Sequence, residues 1–508
     1  MLLAPQSFDP PPPRSHALDA TRLVSAIISG GDARLHLDAQ GRNQYYASAM
    51  PSDALAYGSS TISSISAHAF LILMADWRGR LDQPLSASAY ADALQMLRNR
   101  LTACFGLDQL AQDPAIIFAA SGTDLEYVGL AAALDARPLT AVLLGRDEVG
   151  SGCVHSAAGR FFADQTATGA RVVPQTAIDP AFADVELIDV AVRDENGLPR
   201  SSAAVASELS RHIDRAAAGG RHAVVHVVHG SKSGLTLPGL DDVEAMAARF
   251  GGNATIVVDA CQLRITPGVI RRYLDIGCIV LMTGSKFAGG PPFSGFALVP
   301  AAVQRRARVL PTGFRRLAAR AEWPTGWPGA DGLHDLSNPG LLLRLQAALI
   351  EIERFGALPT DCVTNVIARF NHHATHLVKR LGLGEVPGVG GSSCLASETL
   401  RTVDLSARWP DCDFDAAKRM HADIARHSRE RLGREVRLGQ PVKSHRLADG
   451  RTAGTLRLSL SMPMIAELAE LPPVALDERL EGDMAVVGAA IVSAADTCLA
   501  SAELVPSA

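Results

Sequence analysis

Cysteine is scarce and unpatterned in this chain. Its 508 residues hold eight, none of them in a Cys-x-x-Cys pair. That pattern excludes a disulfide scaffold, and no cysteine or histidine spacing suits a structural zinc site. Reduced, buried thiols are expected, with Cys261 and Cys278 beside or inside apolar runs. Neither sign of charge dominates. The 48 Lys and Arg against 53 Asp and Glu leave a net charge of −5, which gives no electrostatic footprint for a nucleic acid. No basic segment followed by an apolar stretch opens the chain, and Pro10 to Pro13 would interrupt one, so no secretory signal is expected. The most apolar late stretch, MAVVGAAIVSAADTCLA, carries Asp496 with Asp483 just ahead of it. That reads as a buried amphipathic helix rather than a membrane span. Repeats are lacking, and the only biased tract is the early proline run. Residues 1 to about 20 are therefore expected to be disordered or draped over a neighbour. Together these absences point to a cytoplasmic protein with no nucleic-acid and no membrane partner.

What the chain does have is apolar residues, 47% of the total, enough for a large core and more than one domain. Residues 21–110 read mainly as helices, interrupted by the polar stretch AYGSSTISSIS. From about 115 to 300, seven short apolar runs alternate with helical patterns: AIIFAAS, TAVLLG, VELIDVAV, AVVHVVHG, TIVVDA, CIVLMTG and SGFALVP. The fold class is α/β, with a mostly parallel seven-stranded sheet. SGFALVP follows its neighbour too closely for a parallel crossover, so the sheet should be mixed. An Asn-Pro-Gly turn at 338–340 opens a long helix, and the later strands TLRTVDL and GTLRLSLS belong to a smaller C-terminal α+β domain. The expected organisation is an N-terminal extension (1–55), a large domain (56–340) and a small domain (341–508).

Two residues carry the chemistry. Asp259 ends the run TIVVDA, and Lys286 ends the run CIVLMTGSK, with a helix-length segment between them. In a parallel sheet both ends open into one crevice, where ligands of such folds bind. A carboxylate and an amine delivered there suit pyridoxal 5'-phosphate. The lysine forms a Schiff base with the cofactor, and the acid keeps the pyridine nitrogen protonated. Upstream, strand AIIFAA leads through Ser121-Gly122-Thr123 into a helix. A helix N-terminus exposes N–H groups and a favourable dipole to a phosphate. Taken alone, the serine is only a helix cap; in order with Asp259 and Lys286, the three form a joint signal.

These strings resemble those of the fold-type I pyridoxal-phosphate enzymes, in the class V aminotransferase and cysteine desulfurase-like branch, over roughly residues 55–465. Asp259-Ala260-Cys261-Gln262 matches the branch's D-A-x-Q string, which implies that Gln262 lies near the cofactor's phenolic oxygen. Thr283-Gly284-Ser285-Lys286 matches its S/T-G-x-K string, which implies the Thr283 hydroxyl on the phosphate. Leu456-Arg457-Leu458-Ser459 matches a strand whose arginine forks the substrate carboxylate. By the same resemblance Ser231 is a polar cofactor contact, or else a loop serine before Gly234. Asn338 belongs to a turn that reaches the neighbouring subunit's phosphate, so a homodimer is implied. Ser59, Ser60 and Thr61 are candidates for substrate contact, against the alternative of a cap and linker.

Two departures from the pattern matter. Where the branch often places a histidine over the ring, Val149 follows Glu148, with His155 nearby as a substitute or as an ordinary helix-face histidine; acid–base work then falls mainly on Lys286. The stretch ahead of Arg457 also holds no cysteine, Cys394 being far upstream, so persulfide chemistry is disfavoured. His222, His226 and His229 lack the acids or thiols of a metal site, and a core role is expected for them. The insert 313–335, with Arg315, Arg316, Trp323 and Trp327, could face an acidic or aromatic substrate or pack at an interface. The expectation is an enzyme that takes a small amino-acid-like amine through an external aldimine, most simply an aminotransferase. A lyase or β/γ-replacement enzyme would use the same residues. A cofactor-binding regulator without catalysis is the alternative of a different class.

Overall fold

The computed structural model describes residues 14–58, 62–386 and 398–500. Its first strand, β1 (Leu55–Tyr57), stands apart from the main sheet. That sheet is built from β2 (Ala115–Ala119), β3 (Leu139–Leu144), β4 (Glu186–Val190), β5 (His222–His229), β7 (Ala254–Asp259), β8 (Ile279–Thr283) and β9 (Gly295–Val299), with a short β6 (Thr236–Leu237) pairing β5. Their order across the sheet is β2-β9-β8-β7-β5-β3-β4. Along this order all neighbours are parallel except β9, which runs antiparallel to both β8 and β2, and the short β6 is antiparallel to β5. The short β8–β9 connection forces that reversal, because a parallel return needs a crossover of a dozen residues or more.

The central strands are mainly apolar because helices bury both faces of the sheet there, while the edge strand β4 leaves Glu186, Leu187 and Asp189 exposed. Along β7, Ile256 and Val258 enter one core while Val257 enters the other, the two-residue alternation of an extended strand. The helix Gly122–Ala133 lies close on the second face. A Cβ on Gly129 would come within 2.7 Å of a Val257 methyl and 3.4 Å of one on Val224. Trp323 and Trp327 fill this second core with Phe314, their rings 5.0 and 5.4 Å from neighbours. Arg316 stacks on Phe161 at 4.9 Å and Arg315 donates to the Gly332 carbonyl. The 313–335 insert is thus a cap on the sheet, with both tryptophans buried in the core.

The smaller sheet is antiparallel, β10 (Gly384–Val386) and β13 (Thr455–Ser459) flanking β11 (Leu400–Asp404). β12 (Val436–Leu438) instead pairs β1 in parallel. The helices Thr360–Leu381, Phe414–Leu432 and Pro473–Ala500 cover this part. The last is long and apolar enough by length and composition to cross a membrane; its Leu480, Val487 and Ile491 are fully buried in the main core.

The early chain departs from expectation. Residues 1–13 lie outside the described residues, but from Arg14 the chain is helical to Ile27, with Leu23 and Ile27 buried against Leu343 and Ala347. The end of this helix and the turn after it are held by Arg344, which is wholly buried. Its guanidinium donates to the carbonyls of Ile27 (2.6 Å), Ser29 (2.6 Å), Gly30 (3.0 Å) and Phe293 (2.7 Å). One side chain therefore ties the N-terminal segment to the loop between β8 and β9.

Candidate active site

The carboxyl ends of β7 and β8 open into a cavity of about 240 Å³ that holds both Asp259 and Lys286. Asp259 accepts the Cys261 N–H at 2.9 Å, which fixes its carboxylate at the strand end. The buried Thr283 hydroxyl is donated to the Cys261 carbonyl at 2.7 Å, tying the two strand ends together. Ser285 touches it only at 3.4 Å and keeps a hydroxyl available to the cavity. Gln262 is buried, and Arg264 Nη1 donates to its amide oxygen at 3.1 Å. A guanidinium only donates, so the Gln262 –NH2 is left for the cavity. Arg264 is itself pinned by Thr399 and the Leu460 carbonyl.

The opposite wall is the start of the Gly122–Ala133 helix. Ser121 caps it, its Oγ accepting the Asp124 N–H at 3.3 Å. Gly122 is needed for close approach, because a Cβ there would lie 2.9 Å from Cys261 Sγ and 3.2 Å from a Thr283 methyl. The first N–H groups of the helix therefore face the cavity with no side chain between. Arg34 arrives from the N-terminal segment. It is held by Asp32 through paired contacts at 2.6 and 2.8 Å, lies over the rings of Phe293 at 4.5 Å and Phe162 at 5.1 Å, and reaches Ser121 Oγ at 3.3 Å. Burial opposes its charge, but Asp32 and Asp124 more than compensate, so Arg34 is held above the ordinary arginine range. Phe293 holds φ at +71°, a region that costs a bulky residue about 1–3 kcal/mol; the Arg344 bond to its carbonyl secures it.

The third wall comes from the small sheet. Arg457 on β13 is 1% exposed. Its Nε donates to the Gln440 carbonyl and its Nη1 to the Lys232 carbonyl, both at 2.7 Å, leaving Nη2 unengaged by either. Burial pulls its pKa down to about 10, against the charge of Glu148, so it remains protonated at neutral pH. Glu148 is also buried. Burial alone would raise it, yet Arg193 at 3.0 Å and the hydroxyls of Ser231 and Ser233 hold it below the usual carboxylate range.

The sequence-derived residues divide accordingly. Ser121, Gly122, Thr123, Asp259, Gln262, Thr283, Lys286 and Arg457 come together around one cavity. Ser231 is instead committed to Glu148, its Oγ donating at 2.6 Å, and its neighbour Lys232 lines the cavity. Asn338 caps the helix Pro339–Gly356, accepting from Leu341 N–H at 2.9 Å and donating to the Gly30 carbonyl at 3.0 Å; it lines a separate cavity. Ser59, Ser60, Thr61 and Cys394 lie outside the described residues. Val149 is 3% exposed, and neither it nor His155 lines the cavity, where Gly150, Ser151 and Cys153 stand. His226 is buried 2.6 Å from Glu126, and His222 and His229 bond Thr255 and Tyr273. Arg34, Tyr45, Lys232, Ser285 and Gln440 line the cavity without having been singled out in the sequence. Only Ser285, inside a matched string, left a signal there.

These donors fit pyridoxal phosphate: a glycine-lined helix start for a phosphate, a carboxylate for a ring nitrogen, and an amine for an aldehyde. Comparison with solved structures agrees at the level of fold. The chain superposes on pyridoxamine-pyruvate aminotransferase from Mesorhizobium loti with a TM-score of 0.50 at 16% identity, covering 88% of this chain and 98% of that one. On a NifS-like protein the TM-score is 0.52 at 13% identity, over 85% and 99% of the two chains. The fold is that of the fold-type I pyridoxal-phosphate enzymes. No family model and no curated protein matches the sequence.

Proposed function

We propose that this fold-type I chain is a pyridoxal-phosphate-dependent enzyme acting on an amino-acid-like amine, most simply an aminotransferase. The observation that carries the reading is Asp259 and Lys286 in one cavity with the Ser121-Gly122-Thr123 helix start. When bound, the cofactor supplies an aldehyde for the amine and a conjugated ring that accepts the electron pair of the bond broken at Cα.

The protein's own residues do the rest. The N–H groups of Gly122 and Thr123, with the Ser285 hydroxyl and Arg34, take the phosphate. Asp259 keeps a proton on the ring nitrogen. Lys286 holds the cofactor through its Nζ and, once released by substrate, moves a proton at that atom. Arg457 binds the substrate carboxylate with its remaining N–H groups, which orients one Cα bond for cleavage. The cavity thiols of Cys153 and Cys261 are raised well above the ordinary range by burial and by nearby carboxylates. Protonated thiols are poor nucleophiles, so a persulfide route is not favoured. A lyase would use the same groups and differ only in the bond aligned.

The test is the visible spectrum of purified protein with added pyridoxal phosphate. A band abolished by borohydride and missing in Lys286→Ala is expected. Conversion to the amine form of the cofactor by one amino donor identifies an aminotransferase; release of a keto acid with ammonia identifies a lyase. No band would overturn the reading.

A further inference from the structure

The cavity carries more positive charge than the proposed reaction uses. Four cations line it, Arg34, Lys232, Lys286 and Arg457, against one carboxylate, Asp259. On the reading above, a phosphate occupies the helix start beside Arg34, Lys286 meets the aldehyde, and Arg457 takes the α-carboxylate. Lys232 is left over.

The position of Lys232 is fixed from both sides. Its N–H donates to the Glu148 carbonyl at 3.2 Å, and its own carbonyl accepts Arg457 Nη1 at 2.7 Å. Its backbone is therefore rooted next to Arg457, and its side chain lines the same cavity. No acid forms an ion pair with it among the described residues. Glu148, whose charge reaches it, is committed to Arg193, Ser231 and Ser233. Burial, with the charges of Lys286 and Arg457, holds Lys232 below the ordinary lysine range. A largely buried cation without a counter-ion is costly, and an anionic ligand removes the cost.

We propose that Lys232 binds a second anionic group on the substrate, so that the enzyme selects amino acids bearing a side-chain carboxylate or phosphate. This rests on the proposed cofactor and on Arg457 as the α-carboxylate site. Apolar or neutral amino acids would leave the Lys232 ammonium unpaired.

The experiment titrates pyridoxal-phosphate-loaded protein with L-alanine, L-glutamate and O-phospho-L-serine, reading affinity from the cofactor spectrum. One of the two doubly anionic amino acids is expected to bind at least about tenfold tighter than L-alanine, a difference of about 1.4 kcal/mol. Which of the two is preferred tells a carboxylate from a phosphate site. Lys232→Met is expected to erase the preference with the cofactor band retained, and Lys232→Arg to preserve part of it. Equal affinity for all three, or no response from any while the band is present, overturns the proposal. So does a preference that survives in Lys232→Met; should that variant not fold, Lys232→Gln and the wild-type series decide. Absence of the band is a different failure, which removes the cofactor reading and this proposal with it.

Discussion

At the residue scale, the cavity is held by side chains whose polar atoms are already committed on one side. Arg457 shows this best, with Nε and Nη1 anchored on carbonyls and Nη2 unengaged by either. Lysine in its place would keep the charge and lose the planar fork. Arg457→Lys is therefore expected to raise KM by about tenfold or more with a smaller change in kcat, as steady-state kinetics would show. Glu322 offers a pH test away from the cavity. It is fully buried, accepting from Tyr90 Oη and the Ala319 N–H, both at 2.9 Å. Burial raises its pKa from 4.5 to about 7. The folded chain thus binds a proton there that the unfolded chain releases first, so stability at this site falls as pH rises from about 4.5 to 7 and stays low above. The shift amounts to about 3 kcal/mol in order of magnitude. Glu322→Gln is expected to be more stable than wild type in denaturant unfolding at pH 8, with the advantage shrinking at pH 5. The reverse trend would contradict a buried, charge-averse Glu322.

At the scale of elements, the Gly122–Ala133 helix packs close on the sheet, with its N-terminus at the cavity. Alanine at Gly129 improves helix propensity by up to about 1 kcal/mol, yet its Cβ would meet Val257 at 2.7 Å. Overpacking of this kind costs about 1–3 kcal/mol. Gly129→Ala is expected to unfold at lower denaturant concentration, and any gain in stability would show the helix free to shift. The main sheet was largely legible in the sequence. Most of its runs are buried on both faces and so read as apolar strings bounded by turns. The edge strand β4, with Glu186 and Asp189 exposed, is the exception, and the antiparallel β9 came from loop length. The short strands β1, β6, β10 and β12 were not legible, because two or three residues carry no periodicity. The cavity residues of β7 and β8 stood in recognisable strings. Arg34 and Lys232 did not, since their roles come from contacts with residues distant in the chain.

At the scale of the whole molecule, Arg344 connects parts that nothing in the sequence links. Four carbonyls from two segments converge on it. Burial lowers its pKa to about 9, and the bound carbonyls take the place of a paired acid. Arg344→Met would take a donor from all four and leave only the Gly30 carbonyl its bond from Asn338, at about 1–3 kcal/mol for each group left unsatisfied. It would also release Phe293 and the segment carrying Arg34. Loss of folding stability is expected, and any folded fraction should bind pyridoxal phosphate more weakly than wild type, as equilibrium dialysis would measure.

The pairing of β1 with β12 carries a consequence for how the protein is made. Leu55 lies beside Val436 in that ladder, and the cavity draws on residues as far apart as Arg34 and Arg457. During synthesis, a chain emerging from the ribosome can assemble the large sheet once β9 is out, because domains fold as units from the N-terminal side. The cavity still lacks its third wall at that stage, and β1 has no partner. A nascent chain arrested before residue 457 would be folded in part with an incomplete cavity, so the site is finished only once β13 has emerged rather than along with its sheet.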